Sequence, residues 1–260
     1  MSAGCVLAAF AHPDDESLLA AGTLAGCAAA GASVVLVSAT RGELGASGSR
    51  EEATPEAHGA LRERELRAAG AALGAVAVEC LGLPDGELAW VDRSAVEAQL
   101  VASLRRWSPQ VVLTFGPEGL YWHPDHIAVH ERVCAALDIV AGEGLLPRLD
   151  YATWPQAWMS ALVAAVGSRG LPTDCFGLSP EAFGVPEASI TTVRDVRPFL
   201  ATKLRALHSH RSQLRACRLL AQIPEDIAEE FLGREFFVAA RPGRSECKFL
   251  ERASPALGAA

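Results

Sequence analysis

Four short apolar runs, Cys5–Ala11, Val34–Thr40, Val76–Leu81 and Val111–Phe115, alternate with four longer helical stretches, and that order constrains the fold more than any other feature of the chain. Runs of this length without polar alternation are the pattern of strands buried on both faces of a parallel sheet. The stretches that follow them, Ser17–Ala30, Ala57–Leu73, Asp92–Trp107 and Asp125–Val140, are long enough to be crossover helices, and Gly31 and Gly74 close the first two. The repeat predicts an α/β fold: a Rossmann-like, doubly wound, mainly parallel sheet with helices on both faces. The last third is less regular. Gly and Pro recur through Pro155–Pro186, with helix expected only near Trp158–Val166. A strand over Ile190–Val196, a long helix over Arg197–Leu220 and a last strand over Phe236–Ala240 are then expected. One domain is expected over residues 1–260: a core at 1–145, a part at 146–245 adding edge strands and a wall of the active site, and a loose tail at 246–260.

Composition narrows the function. With 50% hydrophobic and 21% charged residues the chain is a folded globular protein. A net charge of −8 and scattered basic residues argue against a nucleic-acid partner, which needs a basic stripe. The densest basic run, Arg62, Arg64 and Arg67, is interleaved with Glu63 and Glu65 and suits a solvated helix face as well as a functional one. The seven cysteines are widely spaced and odd in number, which suggests neither a disulfide framework nor a cysteine metal cage and suits a reducing cytosol. No stretch has the length and apolarity of a membrane span, and Cys5–Ala11 lacks the basic flank of a secretory signal, so a soluble cytoplasmic protein is expected.

Two polar clusters carry the chemistry. Ala11-His12-Pro13-Asp14-Asp15-Glu16 follows the first strand, and His123-Pro124-Asp125-His126 follows the fourth. In open α/β sheets ligands bind beyond the carboxyl ends of the strands, and strands one and four flank the switch point in the common order. The clusters can therefore meet, although over 100 residues separate them. Two histidines and one carboxylate would complete a catalytic zinc site, leaving another carboxylate to act as a base.

On these motifs the chain resembles the PIG-L/LmbE family of zinc-dependent N-deacetylases, which act on N-acetylglucosamine conjugates. Thr40-Arg41-Gly42-Glu43, Arg62-Glu63-Arg64-Glu65-Leu66, Leu83-Pro84-Asp85-Gly86 and His210-Arg211-Ser212-Gln213 agree more weakly. The resemblance implies that His12, Asp15 and His126 bind one Zn2+ per chain, a ligand set that also suits Fe2+. It implies that Asp14 is the general base, and that His123 stabilises the oxyanion or protonates the leaving amine. It assigns Arg62 and Asp85 to the sugar, and Asp125 is expected to orient a neighbouring histidine. The implied partner is a small N-acyl amino sugar conjugate, and a homo-oligomer is an expectation by analogy.

Other histidines and the neighbouring acid have plainer readings. Glu16 suits the first turn of a helix, where the dipole favours an acid. His130 has metal-ligand spacing from His126, but three ligands already suffice. His208 and His210 read as surface or packing residues, and His58 as a solvated one. Trp122, beside His123, stands where many relatives of this type carry a small residue; it could wall and narrow the pocket, although aromatic residues more often simply fill core. A nucleotide-binding oxidoreductase would carry G-x-G-x-x-G after strand one, which is absent here. A metal phosphoesterase usually needs more ligands, and a non-catalytic sugar binder would have lost a ligand or the base. An amidohydrolase acting on a non-sugar N-acyl substrate remains the nearest alternative.

Overall fold

In a computed structural model, which describes residues 4–46, 54–173, 177–215, 218–243, 247–253 and 256–257, the apolar runs form the parallel half of an eight-stranded sheet, and the third of them, expected to be buried on both faces, is instead a half-buried edge strand. β1 (Cys5–Phe10) is buried along its whole length and pairs in parallel with β2 (Ser33–Thr40) on one side and β4 (Val111–Phe115) on the other. β3 (Ala77–Leu83) and β5 (Arg148–Thr153) extend the parallel part outward. β6 (Thr192–Asp195), β7 (Arg234–Arg241) and β8 (Ala256–Leu257) add antiparallel pairings, giving the order β3-β2-β1-β4-β5-β7-β6-β8. The expected switch point falls between β1 and β4, whose carboxyl ends bear the two motifs.

β5 was not foreseen. It sits one strand from the switch point, yet it carries Arg148 and Asp150, which hide its apolar character. Arg148 Nε donates to both Asp150 carboxylate oxygens, at 2.9 and 2.8 Å, so the buried acid keeps a charged partner.

Several helices match expectation closely: α3 (Pro55–Leu73), α4 (Arg93–Trp107) and α6 (Pro124–Ala141). α3 starts where Thr54 accepts a hydrogen bond from the Ala57 amide and stops at Gly74, which adopts φ 76°. The first expected helix is instead broken at Ala20 into α1 (Asp15–Leu19) and α2 (Ala21–Ala29). A distorted turn, α5 (Gly119–Trp122), precedes α6. α7 (Trp158–Gly167) lies where helix was expected.

The long helix expected over Arg197–Leu220 is also broken. A 3-10 turn leads into α8 (Leu200–Leu207), and the chain then bends through His208–His210 before α9 (Arg211–Leu214) and α10 (Arg218–Ala221). α11 (Glu225–Leu232) then leads into β7. The bend exists because His210 and Ser212 are drawn inward to buried acids described below. Within the expected tail the described residues include α12 (Lys248–Ala253) and β8. Cys175 and Cys217 lie outside the described residues, and no disulfide joins the other five cysteines. Among the described residues no helix is long and apolar enough to cross a membrane.

One buried ion pair ties the antiparallel edge to the core. Glu235 on β7 accepts from the Gly22 and Thr23 amides and from Lys203 Nζ, each at 2.8 Å. Both charged side chains are almost fully buried, at 2% and 1% exposure. Lys203→Met keeps the length of the side chain but strands the carboxylate. Removing one partner of a buried pair typically costs about 3–5 kcal/mol. Urea unfolding of the variant is expected to show a loss of that size, and a loss below about 1 kcal/mol would mean that Glu235 is satisfied without the lysine.

Candidate active site and metal centre

The loop after β1 turns sharply into α1, and the turn is made at Asp14, which adopts φ 125° and ψ −26°. That conformation is ordinarily left to glycine. Asp14 occupies the helix N-cap position without capping through its side chain. Its main-chain carbonyl accepts instead from the Ser17 and Leu18 amides, both at 3.0 Å, which leaves the carboxylate to face a cavity. His12 and Asp15 flank it, and the His12 amide donates to Asp15 Oδ2 at 2.8 Å.

The second motif enters from the other side of the switch point. His123 is the N-cap of α6, with Nδ1 accepting from the Asp125 amide at 3.2 Å. That bond places the proton of the neutral ring on Nε2. His126 is fully buried, and its Nδ1 faces the Gly119 carbonyl at 3.1 Å, which assigns the Nδ1 proton and leaves Nε2 bare. His12 Nε2 faces Asp85 Oδ1 at 3.1 Å and Asp125 Oδ2 at 3.2 Å, so that nitrogen is the donor. The remaining nitrogen, His12 Nδ1, lies 3.2 Å from His126 Nε2.

Two ring nitrogens therefore turn toward each other, and Asp15 closes the set at 3.6 Å from His12 Nδ1 and 3.5 Å from His126 Nε2. Such an arrangement needs a cation or a proton between its members. Two nitrogens bound at 2.0–2.1 Å to a tetrahedral centre stand roughly 3.3 Å apart, close to the separation seen here. The donor set fits a metal of the zinc type. His12, His123 and His126 also converge, as do His12, Asp85 and Asp125, but both alternatives conflict with bonds already made. His123 Nδ1 is taken by a main-chain amide, and the Asp125 carboxylate accepts from the Gly86 and Leu88 amides at 2.7 and 3.1 Å.

The electrostatics follow from burial and crowding. Burial disfavours a charged His12, but hydrogen bonds to Asp125, Asp15 and Asp85 outweigh it and raise its pKa well above the usual value. Burial, with His12 and His123 nearby, pushes His126 down to about 3. Asp15 is held low by His126 and His12 despite its burial. Asp14 moves the other way: burial raises it to about 6, with the Arg62 guanidinium opposing. Two adjacent carboxylates thus differ in proton affinity, the pattern that separates a ligand from a base.

Arg62 lies across the Asp14 turn from α3. It donates to the Gly42 carbonyl at 2.7 Å, the Pro13 carbonyl at 2.6 Å and Asp14 Oδ2 at 3.2 Å. Its buried Nε has no hydrogen-bond partner, and the residue lines the cavity, as does Asp85. The expected sugar-binding pair is thus at the cavity, but both residues also hold the protein's own parts in place. Gly42 is required here. It adopts φ 64°, and a Cβ on it would meet Arg62 Nη1 at 2.2 Å. The backbone conformation alone costs a non-glycine residue about 1–2 kcal/mol. Gly42→Ala is expected to lower stability by at least that much, read by urea unfolding, because the new side chain must also displace Arg62. Unchanged stability would show that the loop accommodates the side chain freely.

The cavity has a volume of about 450 Å³. Its polar end is formed by the motifs and its apolar end by Leu18, Leu19, Leu120, Trp154 and Phe183. Phe183 comes from the irregular segment, which docks on the loop after β4 through a hydrogen bond from the Gly184 amide to the Leu120 carbonyl at 2.7 Å, while Trp154 directly follows β5. The expected wall is therefore built partly from that segment. Tyr121 and Gln213 line the cavity as well and were not foreseen as site residues, although Gln213 lies in the His-Arg-Ser-Gln string.

Other expectations need correction. Trp122 adopts φ 64°, is 67% exposed, and stands outside the cavity lining, so it does not wall the pocket. His58 is buried, not solvated. His210 is buried against Glu16 at 2.8 Å, and Glu16 serves more than the helix dipole. The basic run on α3 divides, because Arg62 and Glu65 are buried while Arg67 pairs with Glu63 at 2.7 Å near the surface. His130 and His208 keep their plain readings. His130 faces the Phe115 carbonyl at 3.0 Å, and His208 is exposed.

Comparison with known proteins agrees with this geometry. Residues 7–137 match the family PIG-L, described as GlcNAc-PI de-N-acetylase. The chain is 34% identical to the 1D-myo-inositol 2-acetamido-2-deoxy-alpha-D-glucopyranoside deacetylase of Rhodococcus jostii (strain RHA1), over 95% of this chain and 94% of that protein. Its fold is similar to that of the conserved protein TT1542 from Thermus thermophilus, with a TM-score of 0.63, 24% identity, and coverage of 93% and 96% of the two chains. It is also similar to GalB, the 4-carboxy-2-hydroxymuconate hydratase from Pseudomonas putida KT2440, with a TM-score of 0.67, 20% identity, and coverage of 94% and 98%. That a hydratase shares the fold means the reaction must be argued from the site. With the family matched across half the chain and a deacetylase relative aligned along nearly all of it, the chain belongs to the PIG-L family of de-N-acetylases.

Proposed function

We propose that this protein is a zinc-dependent hydrolase that removes the acetyl group from the amide nitrogen of an N-acetylglucosamine-like conjugate. The observation that carries the reading is the convergence of His12 Nδ1, His126 Nε2 and the Asp15 carboxylate, one oxygen near each nitrogen, beside a cavity that also presents Asp14 and His123. The sugar assignment is supported by the Rhodococcus relative, whose substrate is a 2-acetamido-2-deoxyglucoside.

Held by His12, Asp15 and His126, the metal would polarise the scissile carbonyl and make water a competent nucleophile near neutral pH. Asp14 accepts the proton of the attacking water. Its pKa, raised by burial, suits a base that also returns a proton. His123 directs Nε2–H at the cavity, where it stabilises the developing oxyanion, and Asp14 passes the water's proton on to the departing amine. Asp125 and Asp85 hold His12 by Nε2, which keeps Nδ1 facing its fellow ligands. Arg62 and Asp85 also offer polar atoms to sugar hydroxyls at the cavity wall.

The test is a comparison of an N-acetylglucosaminide with an N-acetyl amino acid of similar size, by released amine. The sugar is expected to give the higher kcat/KM. Faster turnover of the amino acid would leave the metal chemistry standing and overturn the sugar assignment.

A further inference from the structure

The turn that presents Asp14 is strained, and its support comes from a part of the chain with no other evident role in the reaction. Asp14 stands at φ 125°, where an L-residue is held only if its surroundings over-determine it. Its amide points back into the protein and donates to Glu16 Oε2 at 3.0 Å. The other Glu16 oxygen accepts from Ser17 Oγ at 2.6 Å and pairs with His210 Nε2 at 2.8 Å. Glu16 is 3% exposed and His210 is 1% exposed. A carboxylate buried this deeply needs every one of these partners, and its orientation is set by them.

His210 arrives from 194 residues away in sequence, at the bend that breaks the expected long helix. The next turn is anchored alongside it. The Ser212 amide and hydroxyl donate to Glu65 at 2.9 and 2.6 Å, and Glu65 is on α3, one turn from Arg62. Arg62 in turn bonds the Pro13 carbonyl and the Asp14 carboxylate. The catalytic turn is thus gripped twice: Glu16 holds the amide of Asp14, and Arg62 holds the carbonyl before it together with the carboxylate.

We propose that Glu16, fixed by His210, is a positioning residue for the general base: by accepting the Asp14 amide it locks the left-handed turn that directs the Asp14 carboxylate into the cavity. The inference rests on the reading of Asp14 as the base. It gives the bent segment after α8 a definite task, which is to close the second half of the grip from the far end of the chain.

The experiment uses the full-length, metal-loaded protein and the variants Glu16→Ala, Glu16→Gln, His210→Ala and His210→Asn. The first readout needs no substrate. Hydrogen exchange at the Asp14 amide is expected to accelerate about 10-fold or more in Glu16→Ala and His210→Ala, while amides of β1 keep their protection. The second is the split between rate and binding on an N-acetylglucosaminide. Misplacement of a catalytic group by about 1 Å can cost about 10²-fold, so kcat should fall steeply while KM and metal content stay within about 3-fold of the wild type. Glu16→Gln keeps an acceptor for the Asp14 amide and should recover most of the rate, which a merely structural loss would not predict.

An unchanged Asp14 exchange rate in the folded Ala variants would overturn the inference. So would faster exchange with unaltered kcat, a change confined to KM, or a Gln variant no better than Ala. Should either Ala variant fail to fold, His210→Asn, too short to reach Glu16, is expected to show the same faster Asp14 exchange and lower kcat, and wild-type behaviour of that variant would overturn the inference. A wild type without activity on the sugar, together with accelerated exchange in the variants, would bring down the functional reading alone.

Discussion

Asp14→Asn is expected to keep its full complement of metal and to lose between about 10²- and 10⁴-fold in kcat, the usual contribution of general base catalysis. The substitution preserves the shape of the side chain and its contact with Arg62 Nη2 at the position now 3.2 Å from Oδ2. It removes only the ability to take a proton. Metal content is the internal control, because the proposed ligand set of His12, Asp15 and His126 leaves Asp14 out. Elemental analysis alongside steady-state kinetics checks both halves. A variant that turns over at the wild-type rate would place the base elsewhere, and one that loses its metal would make Asp14 a ligand.

The second large effect is that of the metal itself. Chelation should abolish activity, and added zinc should restore it, with about one metal per chain. His12→Ala, Asp15→Ala and His126→Ala should each lower occupancy sharply, because three protein ligands are the fewest a catalytic site of this kind uses. His126→Ala is the most telling of the three. The ring is fully buried, stacks on Phe115 with centroids 3.9 Å apart, and is anchored by the Gly119 carbonyl. Its removal leaves a void as well as a missing ligand, so a milder companion, His126→Gln, separates loss of metal from loss of packing. Full occupancy in all of these variants would remove His12, Asp15 and His126 from the metal site.

The shared fold with a hydratase shows why these tests bear on the site and not on the architecture. The sheet supplies two loops at one switch point. What it does there depends on a handful of side chains, and on the hydrogen bonds that decide which ring nitrogen or carboxylate oxygen is left free.

Much of this was legible in the chain itself. Three of the four apolar runs announced the parallel core because a strand buried on both faces has no room for polar alternation, while the other became the half-buried edge strand β3. The two His-Pro-Asp strings announced the site because each follows such a run, and the carboxyl ends of adjacent strands must lie close together. Arg62 and Asp85 were legible only as fragments of a resemblance. Their geometry has them bonding the protein itself at the cavity wall. Other features depended on contacts between distant residues. β5 was hidden because Arg148 and Asp150 neutralise one another only once folded. The exposure of Trp122 depended on a left-handed backbone that nothing in its neighbourhood of sequence announces. His210 read as an ordinary histidine on a long helix, because its partner Glu16 is 194 residues away. Local pattern determined the layers, the switch point and the ligand types, since these depend on periodicity and on chemistry carried by neighbouring residues. The tertiary structure alone decided which ring nitrogens are left free and how far the proton affinities of Asp14 and Asp15 part, since burial and hydrogen bonding set proton affinity only when the chain has closed around the group.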